Sequence, residues 1–197
     1  MGRPRAVELD DAVLAAVACF REHGYDSTSV RDLEAATGLK ATSLYNAFGS
    51  KAGLFNAALD RYHRDVVERR VNEHLRPALG LAGIRSFLVS TYTVEPLPTH
   101  GCLVASSAAE FADLDPRARE RVEHSLRLTR DALARSLEAL RQAGEIDPVI
   151  DLAAAADALL IFYEGMLTML RTGPVTVDPT RAIDATLALL QPRKRKR

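Results

Sequence analysis

The 197-residue sequence has no tryptophan, two cysteines and no excess of either charge. Two cysteines as far apart as Cys19 and Cys102 do not indicate a disulfide framework, and the five histidines are too scattered to indicate a zinc site. Acidic and basic residues number 26 each, so the chain is not basic overall. From these features we expect no metal and no cofactor.

Membrane and catalytic signals are also missing from the sequence. It has no hydrophobic signal stretch at its N-terminus and no uninterrupted apolar run of about 18 residues. It has no Gly-x-Ser-x-Gly elbow and no glycine-rich phosphate loop. We therefore expect a cytoplasmic protein with no membrane span, and an enzyme is the weaker interpretation.

What the chain does contain is a pattern typical of helices. Hydrophobic residues make up 47% of it, and alanine and leucine, both strong helix formers, are abundant. Apolar residues repeat at helical spacing, and no pair of segments alternates as strands do. The sequence thus predicts an all-α fold. Ser50 is the predicted cap of a helix that begins at Lys51 and continues as one long helix over residues 54–75. The other predicted helices cover residues 10–23, 30–37, 40–48, 81–93, 116–142, 148–171 and 179–190, and residues 102–112 are a short apolar stretch.

Capping residues and glycines between residues 24 and 51 predict a helix-turn-helix. Ser29 is a good N-cap with Asp32 three residues on, Gly38 interrupts the helical pattern, and Gly49 ends the next short helix. An ordinary helical hairpin fits the same spacing. The side chains expected to form the small core are Leu9, Phe20, Leu33, Ala36, Leu39, Leu44, Phe48 and Leu54.

Charge is unevenly distributed along the chain. Residues 36–58 contain Lys40, Lys51 and no acid, whereas residues 1–35 contain four arginines and seven acids. A DNA-binding protein needs a local basic footprint, which the acid-free window supplies. Residues 192–197 hold five cations. This basic tail either adds salt-sensitive DNA affinity or is simply solvated.

The runs "TSVRDLEAATGL" and "SLYNAFGSKAGLF" resemble the TetR family of bacterial repressors, and the resemblance extends over residues 8–60. It implies an N-terminal three-helix helix-turn-helix DNA-binding domain (1–55), a larger helical ligand-binding and dimerisation domain (56–191) and the basic tail (192–197). It further implies a ligand-responsive repressor that binds a palindromic operator in double-stranded DNA as a homodimer and is released by a small-molecule effector. The last two helices would pair with those of a second copy.

Residue chemistry within this resemblance assigns roles at the DNA. Lysines and a tyrosine hydroxyl suit phosphates, helix N-terminal N–H groups suit anions, and asparagine suits adenine. Many relatives have Lys-Gly at Ala41-Thr42, so the operator cannot be transferred from them. Packing is the alternative role for Tyr45. The expected DNA-binding residues are Arg3, Arg5, Thr28, Ser29, Lys40, Thr42, Ser43, Tyr45, Asn46 and Lys51.

The segment Gly101-Cys102-Leu103 resembles one TetR subgroup, some of whose members respond to electrophiles or small unsaturated acids. Ser106 stands where those relatives often have asparagine. Cys102 is then either a sensing thiol, if exposed and acidified, or a small core residue. A helical interaction protein without DNA binding is a further alternative for the whole chain. The expected ligand-binding residues are Phe87, Tyr92, Cys102, Glu110, Phe111, Tyr163 and Met166.

Overall fold

The computed structural model describes residues 5–93, 101–171 and 177–192, with the backbone alone for residues 5–8 and Leu170. These ranges contain ten α-helices and no strand, which confirms the predicted all-α class. In chain order the helices are α1 (Arg5–His23), α2 (Val30–Thr37), α3 (Ala41–Phe48), α4 (Lys51–Tyr62), α5 (Arg69–His74), α6 (Gly80–Thr93), α7 (Leu103–Ala109), α8 (Pro116–Gln142), α9 (Leu152–Leu170) and α10 (Pro179–Ala188).

Helix α2 begins and ends where the sequence predicts, because both of its ends are capped. The Ser29 Oγ accepts from the Asp32 backbone N–H at 3.2 Å, and the Asp32 carboxylate accepts from the Ser29 N–H at 2.8 Å. This pair is the expected capping box. Gly38 ends the helix with a left-handed φ of 71°.

Other predicted boundaries are wrong by several residues. The single helix predicted over 54–75 is two α-helices, α4 and α5, joined by a π-helical segment, His63–Glu68. Helix α1 begins at Arg5 rather than at residue 10. Helix α9 begins four residues later than expected, because the Asp151 carboxylate caps it by accepting from two backbone N–H groups.

The chain divides into two compact units. The first combines Met1–Val66 with His100–Ser125, and the second combines Val67–Thr99 with Leu126–Arg197. The core of the first unit contains an aromatic cluster. Phe20 and Phe55 meet edge to face with ring centroids 4.9 Å apart, and the Tyr25 ring lies 4.6 Å from that of Phe55. Burial and aromatic contact together fix α1 against α4.

Within the first unit, polar contacts join the end of α1 to both ends of α7. The Arg21 guanidinium donates to the Gly101 carbonyl at 2.8 Å, and the Tyr25 N–H donates to the Glu110 carboxylate at 2.7 Å. Gly24 makes room for that carboxylate, because a Cβ there would lie 2.3 Å from Glu110 Oε1. The chain leaving α1 is thus held by residues far away in the sequence.

Further polar contacts join α4 to the start of α8 in the same unit. The Asn56 amide donates to the Asp115 carboxylate at 2.9 Å, and Arg121 donates to Asp60 at 2.6 Å. Residues 101–125 are therefore integral to the compact unit that carries the helix-turn-helix.

The second unit is built around α6, which contacts α5, α9 and α10. Ile84 and Ile183 are fully buried on α6 and α10. Arg85 and Asp184 form a more exposed ion pair at 2.7 Å between the same two helices. Apolar packing supplies most of the stabilisation here, since exposed ion pairs contribute little.

Helix α9 is less buried than its composition predicts. We expect burial on more than one side, yet Ile161 on α9 is 72% exposed, and Leu189 just after α10 is 80% exposed. By length and composition, Leu152–Met169 could also cross a membrane, and 28% of that window is buried in the single chain. The predicted burial is therefore not achieved within one chain.

The aromatic cluster yields a test of the first unit's core. Replacing Phe20 with alanine is expected to lower the free energy of unfolding by about 3–5 kcal/mol, because it leaves a cavity between α1 and α4. Urea denaturation followed by circular dichroism measures this. Leu14→Ala on the same helix is the control, expected within about 0.5 kcal/mol because Leu14 is half exposed. Equal losses in the two variants would contradict this description of the core.

Candidate functional site: a nucleic-acid interface on α3

Helix α3 is eight residues long, and Leu44 is its buried side chain. So short a helix is not stable alone in water, so its ends must be held by neighbouring residues. Lys40, the N-cap, supplies no side-chain hydrogen bond. The Glu34 carboxylate of α2 serves instead, accepting from the Ala41 backbone N–H at 2.7 Å. The negative charge of a carboxylate at the N-terminal end of α3 also interacts favourably with the helix dipole.

The other end of α3 is fixed by a close approach to α4. Ser50 caps α4 by accepting from the Gly53 N–H at 3.0 Å. A Cβ added to Gly53 would lie 1.9 Å from the Phe48 carbonyl oxygen. Glycine is therefore required for α3 and α4 to pass this closely.

With both ends fixed, α3 presents a polar surface to solvent. Thr42, Ser43, Tyr45 and Asn46 are all exposed. Tyr45 is 42% exposed, so the alternative of a packing role for it is not met in this conformation. Hydroxyl, phenol and amide groups on one short exposed helix can reach base edges and phosphates in a major groove.

The two lysines predicted to contact phosphates differ in their exposure and in their contacts within the chain. Lys40 is exposed at the start of α3. Lys51 is half-buried, with its ammonium donating to the Asp26 carbonyl at 3.2 Å and lying 4.6 Å from the centroid of the Tyr25 ring. Lys51 thus braces the turn before α2 in the DNA-free protein.

The two predicted DNA-binding residues at the start of α2 also differ in exposure. Ser29 is exposed and caps the helix, whereas Thr28 is 1% exposed and its hydroxyl donates to the Gly24 carbonyl. Thr28 is therefore not accessible to a phosphate in this conformation, and its contact with DNA stays a prediction. Arg3 and residues 193–197 lie outside the described residues, and Arg5 is the first residue of α1.

The expected helix-turn-helix core is mostly found. Leu33, Leu44, Phe20 and Leu54 are buried. Ala36 is exposed, which corrects its predicted place in the core, because the face of α2 that packs inward is centred on Leu33. Three further members of that core, Leu9, Leu39 and Phe48, are half-buried.

The ligand-binding candidates in the first unit are engaged within the chain. Cys102 is 5% exposed at the start of α7, so the exposure that a sensing thiol requires is not met in this conformation. Glu110 accepts from the Tyr25 N–H, as described above. Phe111 is half-buried, with the Arg119 guanidinium 5.8 Å from its ring centroid.

The candidates in the second unit are closer to one another. The rings of Phe87 and Tyr163 have centroids 4.8 Å apart. Met166 is buried, and its sulfur accepts from the Thr91 hydroxyl at 3.9 Å. Tyr92 lies on the same helix as Phe87 and shares a 2.8 Å hydrogen bond with a threonine of α10. As ligand contacts, all seven residues stay predictions.

Sequence reasoning missed three residues of structural importance to these sites: Glu34, Gly53 and Arg70. A glycine inside a helical pattern lowers helix propensity and often has a packing reason, so Gly53 had a local signal. Glu34 had none, because it acts on a backbone group seven residues away. Arg70, on α5, contacts the aromatic pair of the second unit and is taken up below.

Family models match both parts of the chain. Residues 13–58 match "Bacterial regulatory proteins, tetR family", and residues 80–186 match "Tetracyclin repressor-like, C-terminal domain". The second match alone spans more than half of the chain. This chain belongs to the TetR family. It is a DNA-binding transcriptional regulator, and the family is one of regulators rather than enzymes.

Individual TetR proteins agree with this assignment. The HTH-type transcriptional repressor ComR of Escherichia coli K12 is 32% identical over 184 residues, covering 87% of this chain and 83% of ComR. A TetR regulator of Chloroflexus aurantiacus, 28% identical, superposes with a TM-score of 0.77 over 93% of each chain. The subgroup that Gly101-Cys102-Leu103 predicts is not established by these similarities.

A third TetR protein has been solved with DNA. A cysteine mutant of CifR complexed with 26 bp double-strand operator DNA is 26% identical to this chain. The two superpose with a TM-score of 0.75, over 96% of this chain and 100% of CifR.

The close approach between α3 and α4 yields a second test. Alanine in place of a helix-interior glycine ordinarily stabilises a protein by about 0.4–1 kcal/mol. Gly53→Ala is expected to do the opposite and to weaken DNA binding, because its Cβ forces the Phe48 carbonyl away and displaces α3. Thermal denaturation and a DNA gel shift measure the two effects. A stabilised variant with undiminished DNA binding would contradict the required contact.

Proposed function

We propose that this TetR protein is a transcriptional repressor that binds a palindromic operator as a homodimer and is released by a small-molecule effector. The observation that carries the proposal is the surface of α3, which buries Leu44 and exposes four polar side chains. The helix enters the major groove, where Asn46 suits adenine and Thr42 can contact a thymine methyl.

Phosphate contacts flank this base-reading surface. The exposed Lys40 neutralises a phosphate, and the first turn of α2, after its Ser29 cap, offers backbone N–H groups to another. The Tyr45 hydroxyl donates to a third.

Lys51, braced by Tyr25 and Asp26, acts mainly by holding the turn that precedes α2. These contacts set register, while Thr42, Ser43 and Asn46 set specificity.

The exposed face of α9 supports a homodimer. Ala154, Ala158, Ile161 and Gly165 are exposed, and their spacing of four, three and four residues places them on one face of the helix. Small residues permit a close helix approach, and the exposed Ile161 adds apolar area. We attribute the apolar length of Leu152–Met169 to this interface rather than to a membrane, which fits a cytoplasmic protein. Two-fold symmetry then makes the operator palindromic.

Release by an effector follows from linkage. A ligand that binds more tightly to a conformation with wrongly spaced recognition helices lowers DNA affinity by its differential affinity for that conformation. The two recognition helices must stand about 34–36 Å apart to reach successive turns of one DNA face. A small change of that spacing is therefore enough to weaken operator binding.

Alanine substitutions of Asn46 and of Lys40 are expected to weaken DNA binding in different ways. After selection of an operator from random duplex DNA, Asn46→Ala should lose about 1–3 kcal/mol of discrimination at one base pair. Lys40→Ala should weaken operator and random DNA alike and lower the slope of log affinity against log salt by about one. Fluorescence anisotropy over a range of salt concentrations separates the two outcomes. If Asn46→Ala left base preference unchanged, α3 would not be reading the bases as assigned.

A charged substitution at Ile161 tests the proposed dimer interface. Ile161→Asp should convert the dimer to a monomer, because a charge would have to be buried at the centre of the α9 face. Sedimentation velocity measures the mass, and palindrome binding should fall with it. Leu14→Asp, an equally drastic change at an exposed leucine of α1, should stay dimeric. A dimer that tolerates the aspartate at 161 would place the interface elsewhere.

A further inference from the structure

The half-buried Arg70 of α5 is set among neutral partners. Its guanidinium donates to the Phe87 carbonyl at 2.8 Å, to the Ser90 hydroxyl at 2.9 and 3.1 Å, and to the Tyr163 hydroxyl at 3.0 Å. Within the described ranges, Arg70 takes part in no ion pair. Arg61, Arg85, Arg117, Arg121 and Arg130 all have a carboxylate partner.

Aromatic rings flank the same guanidinium. Its central carbon lies 4.9 Å from the centroid of Phe87 and 5.6 Å from that of Tyr163, and these two rings lie 4.8 Å apart. Phe87 is 1% and Tyr163 6% exposed. Aromatic faces stabilise a cation but do not neutralise it, so the positive charge stays available to an anion.

Among the residues that the structure describes, the hydrogen bonds of Arg70 leave one of its N–H groups without an acceptor. The four bonds use Nε, both N–H groups of Nη2 and one N–H of Nη1, whereas a guanidinium carries five N–H donors. The charge of Arg70 also reaches its neighbours. Burial and then the Arg70 charge lower the pKa of His74, against an opposing effect of Glu73.

We infer that Arg70 is the anion-recognition residue of the effector site, and that the effector is a small monocarboxylic acid with an apolar or aromatic body. This inference rests on the proposed ligand-released repressor. The guanidinium binds the carboxylate through the free N–H of Nη1 and through donors now held by neutral hydroxyls, which a carboxylate replaces with stronger, charge-assisted bonds. Phe87, Tyr163 and the nearby Met166 then supply contacts for the apolar body, and their low polarity disfavours a dianion.

Effector binding would also change how three helices are joined. Arg70 ties α5 to α6 through Phe87 and Ser90, and to α9 through Tyr163. A carboxylate that takes over some of these donors releases the corresponding helix. Binding energy at Arg70 is thereby converted into a shift between α5, α6 and α9, which is the differential affinity that release from DNA requires.

The test compares acids with matched neutral amides on the full-length protein. Benzoate and hexanoate are titrated calorimetrically at pH 7.5, beside benzamide and hexanamide. We expect each acid to bind at least about tenfold more tightly than its amide, and Arg70→Met to weaken acid binding by about 10- to 100-fold. Arg85→Met, which removes an exposed arginine of α6, should bind the acids as the wild type does. Acids no tighter than amides, or no acid binding at all, would overturn the inference.

Two further arms separate this inference from its alternatives. Should Arg70→Met fail to fold, Arg70→Lys keeps the charge, removes the planar fork and should still weaken acid binding; unchanged binding there would overturn the role of the guanidinium. Operator binding is measured in the same samples. Intact operator binding without acid binding rejects the carboxylate effector alone. Acid binding that leaves DNA occupancy unchanged keeps the anion site and rejects effector release.

Discussion

The fixing of α3 at both ends is the constraint on which the rest of the interface depends. A helix of eight residues that buries one leucine cannot hold its own orientation. The Glu34 carboxylate satisfies the N–H of Ala41 at its start, and Gly53 lets the Phe48 carbonyl approach α4 at its end. Because α3 takes part in these contacts only through its backbone, its exposed side chains are free to vary with the DNA sequence that is read.

Features specified by local chemistry were predictable, and features that depend on distant residues were not. The bounds of α2 and α8 follow from their capping serine and N-terminal proline, both visible in the sequence. The π-helical segment His63–Glu68 carries no local signal, since it interrupts a continuous apolar pattern. The contact between Tyr25 and Glu110 joins residues 85 positions apart and is invisible to periodicity.

In the candidate site, too, some features were predictable from local sequence and others depend on distant residues. Exposure of Thr42, Ser43 and Asn46 follows from the helical period once Leu44 is buried. The bracing of Lys51 by Tyr25 and the burial of Thr28 depend on the turn after α1, which the sequence alone does not determine. The family resemblance supplied the assignment to DNA, whereas residue spacing alone fitted any helical hairpin.

The carboxylate of Glu110 fills the space above Gly24 and satisfies the Tyr25 N–H. This has a consequence for building hybrid regulators. A chimera that takes only the first 55 residues onto another effector domain would separate this pair, leaving a backbone N–H without its acceptor and a void beside the turn. The segment to be transferred is therefore discontinuous in the sequence. The N-terminal helices must be transferred together with residues 101–125, or joined to a foreign α7 that is followed by an acidic residue positioned to contact Gly24 and Tyr25.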